Sequence, residues 1–356
     1  MAVFSDIRLQ RFRSYRDESF EFEPGVNIIV GPNASGKTNL LEAILVTCRG
    51  ASFRAKDAEL VAVGAPWARL DATMSDGART VKLMPTPSGL VKKEFVIHDQ
   101  KLQRLQLQRT VPAVLFEPNH LLLLHGRPEL RRDYLDDLLE ILVPGFATTR
   151  RDYRRALAQR NALLKRRPAT PQHLFAWNIR LSELGNQLVQ ERAALTERLN
   201  KRLGPLYQEL AGSKAVESGV RYQTGCEVTQ YGSSLLKELE KREQVDIERG
   251  FTTVGPHRDD LEVTFNGRPA ALTASRGETR TVLLALKIME LGLVEETRDS
   301  RPLLLLDDVF SELDGARRRA LTQVTRGYQT FITTTDADVV VQHFMEDCHI
   351  IPLGVD

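Results

Sequence analysis

An α/β fold interrupted by a largely helical insertion is what this 356-residue sequence predicts. Three observations predict it. Apolar residues follow a strand-like period near both ends of the chain and a helical period in the middle. A glycine-rich turn, residues 31–36, separates a buried β-branched run from an amphipathic stretch. A leucine run, Leu303–Leu306, ends in two aspartates, the pattern of an inner strand that delivers carboxylates at its C-terminal end.

Taken in order, Phe4–Phe12 and Ser19–Phe22 read as strands and Val26–Val30 as a buried strand, with a helix over about Lys37–Cys48 after the turn. Residues 68–97 carry short apolar runs punctuated by Asp76-Gly77, Pro85, Pro87 and Gly89, which reads as a β-meander. From about His120 the period lengthens. Leu130, Tyr134, Leu135, Leu138, Leu139 and Leu142 then share one helical face. Leu174, Leu181, Leu188 and Leu195 recur every seven residues with Trp177 and Leu184 between them, which predicts a short coiled-coil-like helix. Pro168 and Pro171 separate it from the basic helix before it. A strand at Leu261–Phe265, a turn at Asn266-Gly267, a helix over Arg276–Leu293 and strands over Leu303–Leu306 and Gln329–Thr333 complete the pattern. The expected division is an α/β lobe I begun by residues 1–117, a helical lobe II over 118–249, and a return to lobe I over 250–356.

Composition is that of a globular protein, with 42% apolar and 27% charged residues. No run approaches the roughly 20 apolar residues of a membrane-spanning helix. Arg8, Arg11 and Arg13 interrupt any signal-like core at the start, so a cytoplasmic protein with no membrane partner is expected. Cys48, Cys226 and Cys348 form no CxxC pair, which argues against a zinc site or a disulfide framework. Net charge is only +2, yet residues 150–202 hold 13 Lys/Arg and 4 acids, a local excess of 13 − 4 = +9. A basic segment in a near-neutral chain is a plausible footprint for a polyanion.

Gly31-Pro32-Asn33-Ala34-Ser35-Gly36-Lys37-Thr38 fits the phosphate-binding pattern GxxxxGK[ST], with Asn39 next, between a strand and a helix as that pattern requires. Backbone N–H groups and the helix N-terminus favour phosphates there. Lys37 is expected to reach the β- and γ-phosphates of ATP, and the Thr38 hydroxyl to ligate Mg²⁺. Asp307 is expected to hold Mg²⁺ through water, and Asp308 to polarise the attacking water. Ser275-Arg276-Gly277-Glu278 opens the helix before that strand. Ser275 and Gly277 could bind phosphate there, although Ser275 with Glu278 also forms a capping box. Ser311-Glu312-Leu313-Asp314 follows at the D-loop position. No histidine stands at the end of the late strand, where either Thr334 or Thr335 could contact the γ-phosphate or the segment could be a plain strand end. The order Walker A, helical insertion, signature, Walker B, D-loop is that of an ABC-type ATPase head. In that class the signature of one subunit closes on nucleotide held by another.

Longer strings resemble the RecF family of bacterial DNA replication and repair proteins, over nearly the whole chain. They are Leu9-Gln10-Arg11-Phe12-Arg13-Ser14-Tyr15, Lys37-Thr38-Asn39-Leu40-Leu41-Glu42-Ala43-Ile44, the stretch from Gly126 to Asp136, Gly255-Pro256-His257-Arg258-Asp259-Asp260, and Asp307 to Asp314. The resemblance implies an ATP-dependent homodimer that clamps duplex DNA near single-strand gaps and single-strand/double-strand junctions. It implies recombinase loading with RecO and RecR, and weak DNA-stimulated ATP hydrolysis that resets the clamp. It places Arg13 and Tyr15 near the adenine. The sequence departs from the family at Ala34, where glycine is usual, and at Arg276 and Glu278 in the signature. Glu117 or Asn119 stands where the lobe I glutamine of ABC proteins is expected.

Candidate DNA contacts are Arg127, Arg131 and Arg132 around one helix start, and Arg151, Arg154 and Arg155 on one face of the next helix. A solvated helix face is the bland alternative. Two other functions compete. A Rad50- or SMC-like structural ATPase would need longer coiled coils than this insertion allows. A transport ATPase subunit fits poorly with the N-terminal Arg-Phe-Arg-Ser-Tyr string and the basic insertion.

Overall fold

The computed structural model describes residues 3–166, 171–213, 215–336 and 348–354, with 340, 342 and 344. The chain forms two compact units. Unit 1 comprises residues 1–120 and 290–356, and unit 2 residues 121–289.

Unit 1 opens with β1 (Phe4–Phe12), β2 (Tyr15–Glu21), β3 (Val26–Val30) and α1 (Lys37–Arg49), followed by β4 (Ala68–Met74), β5 (Gly77–Pro85), β6 (Val91–Ile97), β7 (Gln100–Leu102) and β8 (Ala113–Phe116). Unit 2 holds α2 (Pro128–Leu142), α3 (Phe146–Leu164), α4 (Pro171–Ala211), β9 (Ser218–Gln223), α5 (Tyr231–Lys241), α6 (Glu243–Arg249), β10 (Asp260–Phe265), β11 (Arg268–Pro269) and α7 (Ala270–Thr273). Helix α8 (Arg276–Arg298) runs from unit 2 into unit 1. Then come β12 (Leu303–Asp307), α9 (Val309–Glu312), α10 (Gly315–Thr325), β13 (Thr330–Thr334) and β14 (Cys348–Pro352).

Two sheets build unit 1. One is antiparallel in the order β2-β1-β4-β5-β6-β7, and the other is parallel in the order β14-β3-β13-β12-β8. Inner strands of a parallel sheet are covered on both faces, so they read as unbroken apolar runs; Leu303–Leu306 of β12 are all buried. Residues 40–48 of α1 contribute Leu40, Leu41, Ala43, Ile44, Leu45, Val46 and Cys48 to the same core as Phe4, Phe22 and Phe331. Those three rings meet edge to face, at centroid distances of 5.0–6.2 Å.

Unit 2 departs from its sequence reading in two ways. The boundary expected at 250 shifts: residues 250–289, with Ser275 and Gly277, group with unit 2. The reason is strand pairing, because β10 runs antiparallel to β9 from Asp260↔Gln223 to Phe265↔Ser218. Unit 2 is therefore not purely helical but carries a three-stranded sheet, β11-β10-β9. The short coiled-coil-like helix is a single 41-residue helix, α4, that begins at Pro171. Its heptad leucines 174, 181, 188 and 195 are all buried, and α4 packs against α3, α5 and β9 of its own unit. The expected break at Pro168 and the charge of Arg167 lie outside the described residues.

The string Gly255–Asp260, which carries part of the family resemblance, forms a polar hub in unit 2. The Pro256 carbonyl accepts from Arg192 (2.8 Å), whose guanidinium also grips Asp136 at 2.7 and 2.8 Å. His257 Nε2 faces the Thr252 carbonyl (3.1 Å), so Nδ1 accepts from the Tyr153 hydroxyl (2.8 Å). Asp259 accepts from Tyr222 (2.8 Å) and Tyr231 (3.3 Å). A Cβ on Gly255, at φ +124°, would lie 2.8 Å from the Tyr153 hydroxyl, so the hub closes only around glycine.

Candidate nucleotide-binding site

The phosphate loop leaves the C-terminal end of β3 and runs directly into α1. Glycine is required at both ends. A Cβ on Gly31 would meet the Leu353 carbonyl at 2.7 Å, and one on Gly36, at φ +97°, the Tyr15 hydroxyl at 2.8 Å. That hydroxyl donates to the Gly36 carbonyl at 3.0 Å, which ties the tip of the β1–β2 hairpin to the loop. Lys37 Nζ spans the loop, donating to the Gly31 and Pro32 carbonyls at 2.6 and 2.8 Å. Burial pulls its pKa down, opposed by Asp308 and Asp307. The buried Ser35 hydroxyl has no protein partner, an unmet polar group inside a cradle of N–H donors and one ammonium. Those features fit a bound polyphosphate. Ala34 occupies a left-handed conformation, φ 69°, which accounts for the glycine expected there.

The parallel register brings β3, β13 and β12 to a common edge, with Thr334 opposite Val30 and Thr333 opposite Asp307. Asp307 Oδ1 accepts from the Thr38 hydroxyl at 2.9 Å and from the Thr333 hydroxyl at 2.7 Å. Thr333 Oγ1 also accepts the Asp308 N–H at 3.0 Å. One buried hydroxyl thus fixes both aspartates, a role that sequence reasoning missed. The only signal was an extra threonine in a strand that otherwise looked like core. Thr334 is engaged with the backbone of Asp336 (3.1 Å), and Thr335 is exposed. Asp308, at φ 51°, caps α9. Burial, together with the neighbouring Asp307, raises its pKa. The hard oxygens of Thr38 and Asp307 lie close enough to share one Mg²⁺. No cluster of three or more His, Cys, Asp or Glu that could hold a metal exists among the described residues. Glu117 follows the end of β8, whose Phe116 pairs with Leu306, so it emerges at the same sheet edge as Asp307.

Arg13 sits at the hairpin tip, also left-handed (φ 53°), with its guanidinium bidentate on Glu42 of α1 at 2.7 and 2.8 Å. Asn39, on the first turn of α1, donates to Ser14 at 2.9 Å and accepts from Arg54 at 2.6 Å.

In unit 2 the capping box is formed. The Ser275 N–H donates to Glu278 (2.7 Å) and the Glu278 N–H to Ser275 Oγ (3.2 Å), with Gly277 in the first turn of α8. Two of the expected DNA contacts are corrected. Arg131 is bidentate on Asp260 (2.7 Å twice), and buried Arg132 donates to the Asp259 carbonyl (2.6 Å), so both hold the polar hub. Three cations of the basic segment, Arg150, Arg160 and Arg192, are likewise internal. Arg150 lies among Asp133, Asp136, Asp137 and Glu140, and Arg160 pairs with Asp246. Arg127 is exposed. Arg151, Arg154 and Arg155 share one face of α3, with side chains 44%, 62% and 72% exposed. They line a shallow cavity of about 310 Å³.

A parallel sheet that presents a phosphate loop and a Walker B aspartate pair, completed by a mainly helical second unit with a signature-like helix start, defines an ABC-type ATPase head. The chain belongs to the RecF/RecN/SMC N-terminal domain family, whose model matches residues 3–348, and within it to the RecF family. A curated relative, the DNA replication and repair protein RecF of Rippkaea orientalis, is 36% identical over 350 residues and 92% of each chain. A solved structure of the recombination mediator protein RecF–ATPrS in the RecFOR pathway superimposes with a TM-score of 0.86 at 28% identity, covering 95% of this chain and 94% of the other. A Smc head domain from Pyrococcus furiosus shares the fold at 14% identity and a TM-score of 0.51, over 96% and 92% of the two chains.

Proposed function

We propose that this protein is an ATP-dependent DNA-binding protein of recombinational repair and replication restart. Two subunits close around two ATP–Mg²⁺ and clamp duplex DNA near single-strand gaps and junctions, and the clamp helps load recombinase with RecO and RecR. The observation that carries the reading is the bond from Thr38 to Asp307, with Thr333 behind it. It joins the phosphate loop to the acidic strand in the arrangement an ATPase needs. Its family membership and its likeness to RecF of the RecFOR pathway support the biological setting.

In this reading Lys37 leaves its two loop carbonyls for the β- and γ-phosphates, and residues Gly31 to Asn39 with Arg13 hold the nucleotide. Bound Mg²⁺ supplies charge neutralisation at the phosphates. Thr38 and Asp307 hold the metal, and Asp308, its affinity for protons raised, orients the attacking water. Ser275 and Gly277 of the partner subunit's identical signature complete each site. Hydrolysis is slow, DNA-stimulated, and resets the clamp. Duplex phosphates meet Arg127, Arg151, Arg154 and Arg155.

Sedimentation velocity with labelled duplex tests this, comparing no nucleotide, ATP and ADP for wild type, Lys37→Met and Ser275→Arg. A monomer that dimerises and binds duplex only with ATP, in wild type alone, is expected. A wild-type protein that stays monomeric with ATP and DNA would overturn the clamp.

A further inference from the structure

Glu42 is a carboxylate with no solvent exposure on the helix that carries Lys37 and Thr38. Four donors converge on it. Arg13 contributes Nε and Nη2 (2.7 and 2.8 Å), Ser52 its hydroxyl (2.5 Å) and Arg54 Nη2 (3.2 Å). Burial alone would raise the carboxyl's pKa, but the bonds from Arg13, Ser52 and Arg54 outweigh it and hold the group ionised below its usual range. The two arginines come from different segments, the β1–β2 hairpin tip and the loop after α1, and neither is fully covered: their side chains are 19% and 35% exposed. Arg54 also bonds Asn39, and Asn39 bonds Ser14, so the network runs along the N-terminal half of α1 beside the phosphate loop. One carboxylate against two guanidiniums leaves a net positive charge, with unused N–H donors, on the helix that begins at Lys37.

We infer that Glu42 is a positioning residue for nucleotide: it fixes Arg13 and Arg54 beside the phosphate loop as a cationic arm that binds a nucleoside triphosphate. This rests on the ATP-binding reading above and deepens it.

Charge and position predict opposite signs. Neutralising Glu42 adds net positive charge, so a purely Coulombic contribution makes Glu42→Gln bind ATP more tightly. A positioning role makes it bind more weakly, because two long side chains lose their fixed geometry. The experiment is titration of ATP–Mg²⁺ into wild type, Glu42→Gln, Arg13→Ala/Arg54→Ala and the triple variant. Lys37→Met serves as the non-binding control, and far-UV circular dichroism checks that each variant is folded. We expect Glu42→Gln to weaken ATP by about tenfold, with KM raised more than kcat falls. In the double-arginine background the same substitution should have no further effect. Tighter or unchanged ATP binding by Glu42→Gln, or an undiminished effect in the background lacking both arginines, would overturn the assignment. If wild type itself fails to bind ATP, the function proposed above fails instead. Should Glu42→Gln not fold, Arg13→Lys and Arg54→Lys retain charge without the fork geometry. Weakened ATP binding by both is then expected, and wild-type affinity in both refutes the inference.

Discussion

Ala34, where the resemblance implies glycine, carries a visible physical cost. Its φ of 69° lies in the region L-residues avoid, at about 1–2 kcal/mol. Glycine would remove that strain but add freedom to the unfolded chain. Ala34→Gly should therefore stabilise the protein by up to about 1 kcal/mol, read as a higher urea midpoint at unchanged slope; a lower midpoint would mean the loop is unstrained. His257 carries a pH prediction. Burial lowers its pKa to about 4 from 6.5. The unfolded chain binds the proton more readily, so the stability contributed by neutral His257 is complete above about pH 6.5 and is lost as pH falls through about 4. Denaturant midpoints between pH 7 and 4 should decline more steeply in wild type than in His257→Gln, which cannot titrate. Parallel profiles would remove His257 as the cause.

At the scale of elements, α4 and α3 show how local pattern and packing divide the work. The heptad of α4 is faithful to period, but the buried stripe faces α3, α5 and β9 of the same unit. Leu188→Ala, at a position 1% exposed, should cost about 2–5 kcal/mol without altering association state by sedimentation. A change in association state would mean that the stripe packs between molecules instead. Arg160 of α3 and Asp246 of α6 are both fully buried at 2.7 Å. Asp246→Ala leaves an unpaired buried guanidinium and should cost about 3–5 kcal/mol in thermal or urea unfolding. A loss below about 1 kcal/mol, the range of exposed pairs, would mean the cation finds water.

For the whole molecule, the clamp proposed above assigns sequence-independent phosphate contacts to the exposed arginines of α3. Replacing Arg151, Arg154 and Arg155 by glutamine should reduce the slope of log affinity for duplex against log salt by about 3, with ATP binding unchanged. A wild-type slope would place the DNA elsewhere.

The sequence by itself determined the chemistry of the phosphate loop and acidic strand. Both are local: a glycine turn between strand and helix, and a strand whose side chains must all be buried, leave their pattern in adjacent residues. The same holds for β1, β3, α1, β10 and β12. Tertiary structure decided what depends on partners distant in sequence. Strands β8, β9 and β14 were placed only by their pairing, β8 with β12, β9 with β10 and β14 with β3. The pairing of β9 with β10 moved residues 250–289 into unit 2. Which cations are free also needed the fold, because Arg131, Arg132, Arg150, Arg160 and Arg192 are read as basic charge in a string of letters. Each is in fact spent on a carboxylate or carbonyl within unit 2. The threonine that holds Asp307 and Asp308 together belongs to the same class. Its role comes from a register between parallel strands, and a register is a relation that no local window contains.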